Sequence, residues 1–154
     1  MDKEHALSHL RAAKTSHVRW VQRAKLLING LDIQKGDIPI DSTCCDFGKW
    51  FYNDAQKLNA LSENSVEHMT KIEKLHFDLH DKYLSIFNIY FGVHGQSFFS
   101  RLLHRKKEIS THDISRARHH YSQLEEISNT LINEINILER KLLVIPQETL
   151  SELI

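Results

Sequence analysis

Four residues in this sequence have side chains that together suit a metal ion. Cys45 opens the run Cys-Asp-Phe-Gly-Lys-Trp, His17 lies upstream of it, and His76 and His80 lie downstream. Three imidazoles and one thiolate are the ligand types of a tetrahedral zinc site. The residue types therefore predict that the chain holds a metal.

The spacing of the two downstream histidines suits a shared ion. An α-helix turns once in about 3.6 residues, so His76 and His80 lie on one helix face. The neighbouring apolar residues predict that this face packs in the core. They are Ile72, Leu75, Leu79 and Tyr83. Buried polar groups need partners, and a bound metal is one such partner.

Composition limits the alternatives. The 154 residues suit a domain that buries roughly 70% of the surface of its unfolded chain. Lys and Arg balance Asp and Glu at 20 each, so the chain lacks the basic surface of nucleic-acid binders, and we expect no nucleic-acid partner. We expect one domain over residues 1–145 and a short C-terminal tail over residues 146–154.

The N-terminus and the cysteines indicate the compartment. Met1–His5 lacks the features of a secretory signal, and no run reaches the roughly 20 apolar residues that span a bilayer. Cys44 and Cys45 are adjacent, so a disulfide between them would be strained. We predict a cytoplasmic protein with free thiols and no membrane span.

Apolar spacing predicts an all-α chain. The first helix covers about Asp2–Asn29, with Gly30 suited to the left-handed position after its end. Asp32–Ile40 contains a glycine and a proline and is predicted as a loop. The second helix runs to about Leu58, with Asp41, Ser42 or Thr43 as its cap.

Cys45 would lie in the first turn of this second helix. Free backbone amides and the helix dipole at that position favour a thiolate. Gly48 would let another helix approach, and Phe47 and Trp50 are interpreted as core aromatics. Trp20 lies one turn from His17 and could wall the site.

Two more long helices are predicted. The third covers about Ser62–Tyr90, and the last covers about His112–Leu143 and ends before Pro146. Phe98–Lys107 is predicted to form a short helix, whose basic segment is interpreted as a solvated face. Four long helices with short connections are typical of a four-helix bundle, here with the zinc site in its core.

Three segments carry a resemblance to a known family. They are His17–Trp20 in the first helix, Cys45–Trp50 in the second and Leu75–His80 in the third. Their order and residue types resemble the chemoreceptor zinc-binding (CZB) family of bacteria, over about residues 1–145. The resemblance implies that one zinc ion per chain is held by His17, Cys45, His76 and His80.

The resemblance also implies a function. It is a zinc-binding sensory or regulatory domain of bacterial signalling, in chemotaxis or cyclic-di-GMP pathways, whose Cys45 acts as a zinc- or redox-sensitive switch. A catalytic zinc usually keeps one position for water, whereas four protein ligands close the shell, so we expect no enzyme.

The expected partners follow from the same resemblance. It implies a homodimer, and the last helix has more apolar positions than one bundle need bury, among them Tyr121, Leu124, Leu131 and Leu138. No signalling hairpin or cyclase motif follows Leu143. The chain is then either a stand-alone sensor that acts on an unidentified signalling protein or a module whose effector was lost.

A metal-dependent enzyme on a ferritin-like or haemerythrin-like bundle is the alternative. Such a site needs several Glu-x-x-His pairs, and Glu73 with His76 supplies the pattern once. A thiolate ligand also suits zinc better than a di-iron centre.

The other candidate ligands have weaker support. His5 and His9 share a helix face but lack a third partner, and Cys44 is interpreted as a spare thiol. The remaining histidines lack a spacing that requires a metal and are assigned to the surface or to helix caps: His68, His94, His104, His112, His119 and His120.

Overall fold

The computed structural model describes residues 2–31, 42–61, 63–91 and 109–153. Within these ranges the chain is all-α, as predicted, and contains no strand. The helices are α1 (Lys3–Ile28), α2 (Asp46–Tyr52), a 3-10 helix (Asp54–Leu61), α3 (Glu63–Phe91), α4 (Thr111–Val144) and α5 (Gln147–Ser151). The predicted loop over Asp32–Ile40 and the predicted short helix over Phe98–Lys107 lie outside the described residues.

Helix α1 has a defined beginning and end. The Asp2 side chain accepts a hydrogen bond from the His5 amide and caps the first turn. At the other end, Gly30 has a φ of 82°, and its amide donates to the Leu27 carbonyl while the Leu31 amide donates to the Leu26 carbonyl. This pair of bonds is a Schellman motif, so the prediction for Gly30 is confirmed.

Helix α4 packs against both α3 and α1. Its contacts bury the four residues proposed above as surplus apolar positions, namely Tyr121, Leu124, Leu131 and Leu138. The argument for a dimer from these residues is therefore wrong, because a helix that meets two neighbours buries a wider face than one that meets a single neighbour. The homodimer itself stays a prediction.

The second helix is shorter than predicted. Helix α2 ends at Tyr52, and a 3-10 helix instead of an α-helix carries the chain through Leu58. The Asn53 side chain donates to the Lys49 carbonyl at 2.6 Å. In a continuing α-helix this carbonyl would accept from a backbone amide instead. Asn competes with the backbone in this way, which explains the early end.

The segment after Pro146 contains a short helix. Helix α4 ends before Pro146, as predicted, and Leu150 of α5 is fully buried. Lys3 joins this end of the molecule, because its amide donates to Gln147 Oε1 and its ammonium group donates to the Leu143 carbonyl, each at 2.9 Å. The division of the chain at residue 145 stays a prediction.

No described helix is long and apolar enough to cross a membrane.

Candidate metal centre

Three histidines meet in the interior of the protein. His17 comes from α1, and His76 and His80 come from successive turns of α3. All three are at most 3% exposed, and one ring nitrogen from each lies within 4.8 Å of the other two. In the part of the chain that the structure describes, no carboxylate joins this cluster. The predicted convergence of these three residues is what the structure shows.

Cys45 adjoins the cluster through His76. Its Sγ atom lies 3.3 Å from His76 Nε2, and the side chain is buried. Cys45 is itself the N-cap of α2, so it lies just before the first turn and not within it, and the prediction of Asp41, Ser42 or Thr43 as the cap is wrong. Its sulfur accepts a hydrogen bond from the Gly48 amide at 3.2 Å. The structure therefore brings all four predicted ligands into one region.

Gly48 has a different role from the one predicted. A Cβ atom at this position would overlap the Ser42 carbonyl oxygen and would press on Thr43 Cα. The missing side chain thus makes room for the turn that carries Cys45, and not for another helix. The same Ser42 carbonyl accepts from the Cys45 thiol at 3.3 Å, so glycine and cysteine share one local structure.

Two of the three histidines, His17 and His76, are neutral in this environment. Burial, with a smaller contribution from positive charge on His80, lowers the pKa of His17 to about 4. Burial, followed by the charges of His17 and His80, lowers the pKa of His76 to about 2. Nδ1 of His76 has no hydrogen-bond partner, and the ring nitrogens of His17 have at most a weak contact with the Ala13 backbone. Neutral imidazoles with uncommitted nitrogens are the form that binds a cation.

The Cys45 thiol does not show the thiolate character predicted from its position. Burial raises its pKa above the usual value, and the amides of Gly48 and Phe47 only partly oppose this effect. Desolvation outweighs the helix terminus, because the sulfur is buried and the charge of exposed Lys49 lowers the pKa less than burial raises it. A metal ion would supply further positive charge beside the sulfur.

Aromatic rings enclose the site. The Trp20 indole contacts the His17 and His80 rings edge-on, with centroids 4.8 and 5.1 Å away, so the predicted wall is confirmed. Phe47 is a core aromatic, as predicted, but it also contacts His17 and His76, at 5.6 and 5.0 Å. Its wall role was missed, since helix spacing does not tell which core residues face the ligands.

One side of the site opens into a cavity of about 280 Å³. The cavity is lined by residues of α1 and of the Cys45 segment, including His17, Trp20 and Cys45. Cys44 also lines it but is an exposed free thiol, in contrast to buried Cys45. Small molecules therefore have space beside Cys45.

The remaining candidates stand apart from the centre. Glu73 is exposed, and no described carboxylate joins the cluster, which disfavours a ferritin-like centre. His68 pairs with Glu134 on α4 at 2.8 Å. His5 and His9 lie near the N-terminal end of α1.

Comparisons with known proteins agree with the site. Residues 17–86 match the family model of the chemoreceptor zinc-binding domain. The match covers a little under half of the chain and includes all four predicted ligands, and it confirms the resemblance identified from the sequence. No significant match was found among curated proteins or among solved structures.

Proposed function

We propose that this chain is a zinc-binding sensory module of bacterial signalling. The observation that carries the proposal is the group of three buried imidazoles whose ligand atoms lie within 4.8 Å of one another. The match of residues 17–86 to a zinc-binding signalling domain supports the same reading. In this proposal His17, Cys45, His76 and His80 hold one Zn²⁺ per chain, within a four-helix bundle.

The donor set suits zinc. Three nitrogens and one sulfur are borderline and soft ligands, which favour Zn²⁺ over the oxygen-preferring cations. Buried nitrogens that lack a hydrogen-bond partner reduce folding stability, and coordination to a metal ion removes that penalty. Because the Cys45 thiol has a raised pKa, its proton would be released on binding, which makes the affinity depend on pH.

A regulatory role is preferred over an enzymatic one. Four protein ligands leave no coordination position for a reacting water. Catalytic carboxylates are also missing from the described part of the cluster. The non-enzymatic role rests on these two arguments and on the nature of the matched family.

Cys45 is the element we assign to switching. The cavity beside it admits small oxidants. The Cys45 thiolate, which would be one of the ligands of the ion, would give two electrons to hypochlorous acid and become a sulfenic acid, with chloride as the other product. A sulfenic acid is a poorer ligand than a thiolate, so Cys45 would leave while the three histidines stay. The α2 segment would then shift and present a changed surface to a partner.

Further parts of the proposal concern location and partners. We place the protein in the cytoplasm because its proposed ligand Cys45 must remain a free thiol. The proposal includes a homodimer and a signalling partner in a chemotaxis or cyclic-di-GMP pathway. Light scattering over a range of concentrations, with zinc present, tests the dimer, and a monomer at every concentration would exclude it.

Zinc competition tests the ligand assignment. Purified protein should contain one zinc per chain by elemental analysis, and two irons per chain would overturn the proposal. In competition with a chromogenic chelator, Cys45→Ala and His76→Ala should each lower the affinity by roughly 10²-fold or more, because each removes a direct ligand. Cys44→Ala is the matched control and should change little. Equal losses from Cys44→Ala and Cys45→Ala would contradict the assignment.

A further inference from the structure

A second pair of imidazoles lies near the N-terminal end of α1. The Nε2 atoms of His5 and His9 form a hydrogen bond with each other at 3.2 Å, and the ring planes are nearly perpendicular, at 88°. A bound cation would replace the proton that the two nitrogens share. Two nitrogens bound to one tetrahedral cation, at ordinary zinc–nitrogen lengths, lie about 3.4 Å apart. The observed spacing therefore fits two ligands of one ion without a change in the helix.

His9 is held in place by a buried aromatic ring. Its imidazole stacks on the Trp50 indole, with centroids 5.1 Å apart and planes 7° apart. Trp50 is only 5% exposed, so the orientation of His9 is fixed by the core. His5 is exposed and can adjust its ring to a common ligand. One fixed and one adjustable nitrogen donor suit the capture of an ion from solvent.

Charges of both signs lie around His9. Burial, followed by the nearby His5, lowers the pKa of His9. The carboxylates of Asp46 and Asp54 oppose this shift and contribute negative potential at the ring. Each is also paired with a lysine, Asp46 with Lys49 and Asp54 with Lys57, which offsets part of that potential. The same two aspartates and His9 line a groove of about 550 Å³. His5 does not line this groove, so the groove provides space for water on the His9 side of the pair only.

His9 also connects this groove to the buried centre. It lines the cavity of about 280 Å³ whose other walls include His17 and Cys45. The outer pair is thus beside the space that leads to the proposed inner ligands.

We propose that His5 and His9 form an outer site for a divalent transition-metal ion. The outer site binds more weakly than the buried centre, because it has two protein ligands instead of four. A second part, which rests on the proposed function of the buried centre, is that an ion held by His5 and His9 passes through the cavity to His17 and Cys45.

The outer site is tested in a protein that lacks the inner one. In Cys45→Ala/His76→Ala, with helix content checked by circular dichroism, a titration with Zn²⁺ or Cu²⁺ should show one weak binding step. Adding His9→Ala should abolish this step. The matched control is His119→Ala/His120→Ala, which removes two histidines that lie one residue apart and do not share a helix face.

Two results would overturn the outer site. One is a titration in which His9→Ala and the control lose the same binding. The other, which does not depend on folding of the inner-site variant, is wild-type protein that binds no second equivalent of Zn²⁺ after the first is bound.

The transfer step has its own test. With limiting Zn²⁺, metal-free His5→Ala/His9→Ala should fill the inner site several-fold more slowly than wild type, at unchanged final affinity. An unchanged rate would refute transfer even where the outer site binds metal. Absence of a tight site in wild type would instead refute the proposed function, so the two failures are distinguishable.

Discussion

The histidine half of the site and the cysteine half are built differently. His17, His76 and His80 project from the interiors of helices of 26 and 29 residues, whereas Cys45 lies in a turn ahead of a helix of 7 residues. Helix interiors fix side-chain direction through continuous backbone hydrogen bonds, while a turn depends on a few local contacts. The histidine half is therefore the frame, and the cysteine half is the part that can move.

Removal of the metal should affect hydrogen exchange in the two halves very differently, and this is the largest effect that we expect. On chelation, or on hypochlorite treatment, hydrogen exchange of the amides in residues 42–58 should accelerate roughly tenfold or more. Amides in the middle of α3 should change much less, because that helix keeps its packing on α4. Mass spectrometry of exchanged peptides gives both values in one experiment.

Substitutions provide the controls for this comparison. Cys45→Asp should reproduce the exchange pattern of the oxidised protein, and Cys44→Asp should not. If the residues around Cys45 show no extra exchange, the metal only stabilises the fold, and the proposed Cys45 switch is wrong.

Acid should lower the folding stability of the metal-free protein through its buried histidines. His17 has a pKa of about 4 in the folded protein, against 6.5 for an ordinary histidine. Between these values the unfolded chain binds a proton that the folded chain does not, so stability falls as the pH decreases from 6.5 to 4. The loss attributable to His17 is on the order of 3 kcal/mol, and His76 adds to it down to a lower pH.

Urea unfolding of metal-free protein at several pH values measures this effect. His17→Phe keeps an aromatic ring but removes the titrating group, so its stability should depend less on pH over the same window. A variant with the same pH dependence as wild type would show that His17 is not the cause.

The smallest expected effect concerns the turn of the cysteine half. Gly48→Ala places a methyl group against the Ser42 carbonyl, and such overpacking costs about 1–3 kcal/mol. The displaced turn would also move Cys45, so zinc affinity should fall as well. Lys57→Ala changes an exposed residue of the following 3-10 helix and should leave both quantities nearly unchanged. Equal behaviour of the two variants would show that the turn tolerates movement and does not position Cys45.

The sequence predicted the histidine half better than the cysteine half. The spacing of His76 and His80 follows from the helical period alone, and the structure places both side chains in the core. The pKa of Cys45 depends on how deeply the sulfur is buried, which is a tertiary property that local position cannot supply. The early end of α2 depends on a single side-chain bond from Asn53, which a helical pattern does not reveal.

The packing of α4 shows the same limit. Its apolar residues were predicted correctly as a helix face, but their spacing does not tell how many neighbours cover that face. The structure shows that α1 and α3 both do. The spacing of apolar residues identifies which face of a helix is buried, but only the folded structure shows which neighbouring helices cover that face.

Two glutamates on α4 set the register of the helices around it. Glu134 is 5% exposed and pairs with His68 and Lys71 of α3, while Glu139 pairs with Arg11 and Lys14 of α1. Sliding either helix by one turn, about 5.4 Å, would leave a largely buried carboxylate without its partners. A piston-like displacement of the ligand-bearing helices along α4 is therefore disfavoured relative to motions that keep these ion pairs.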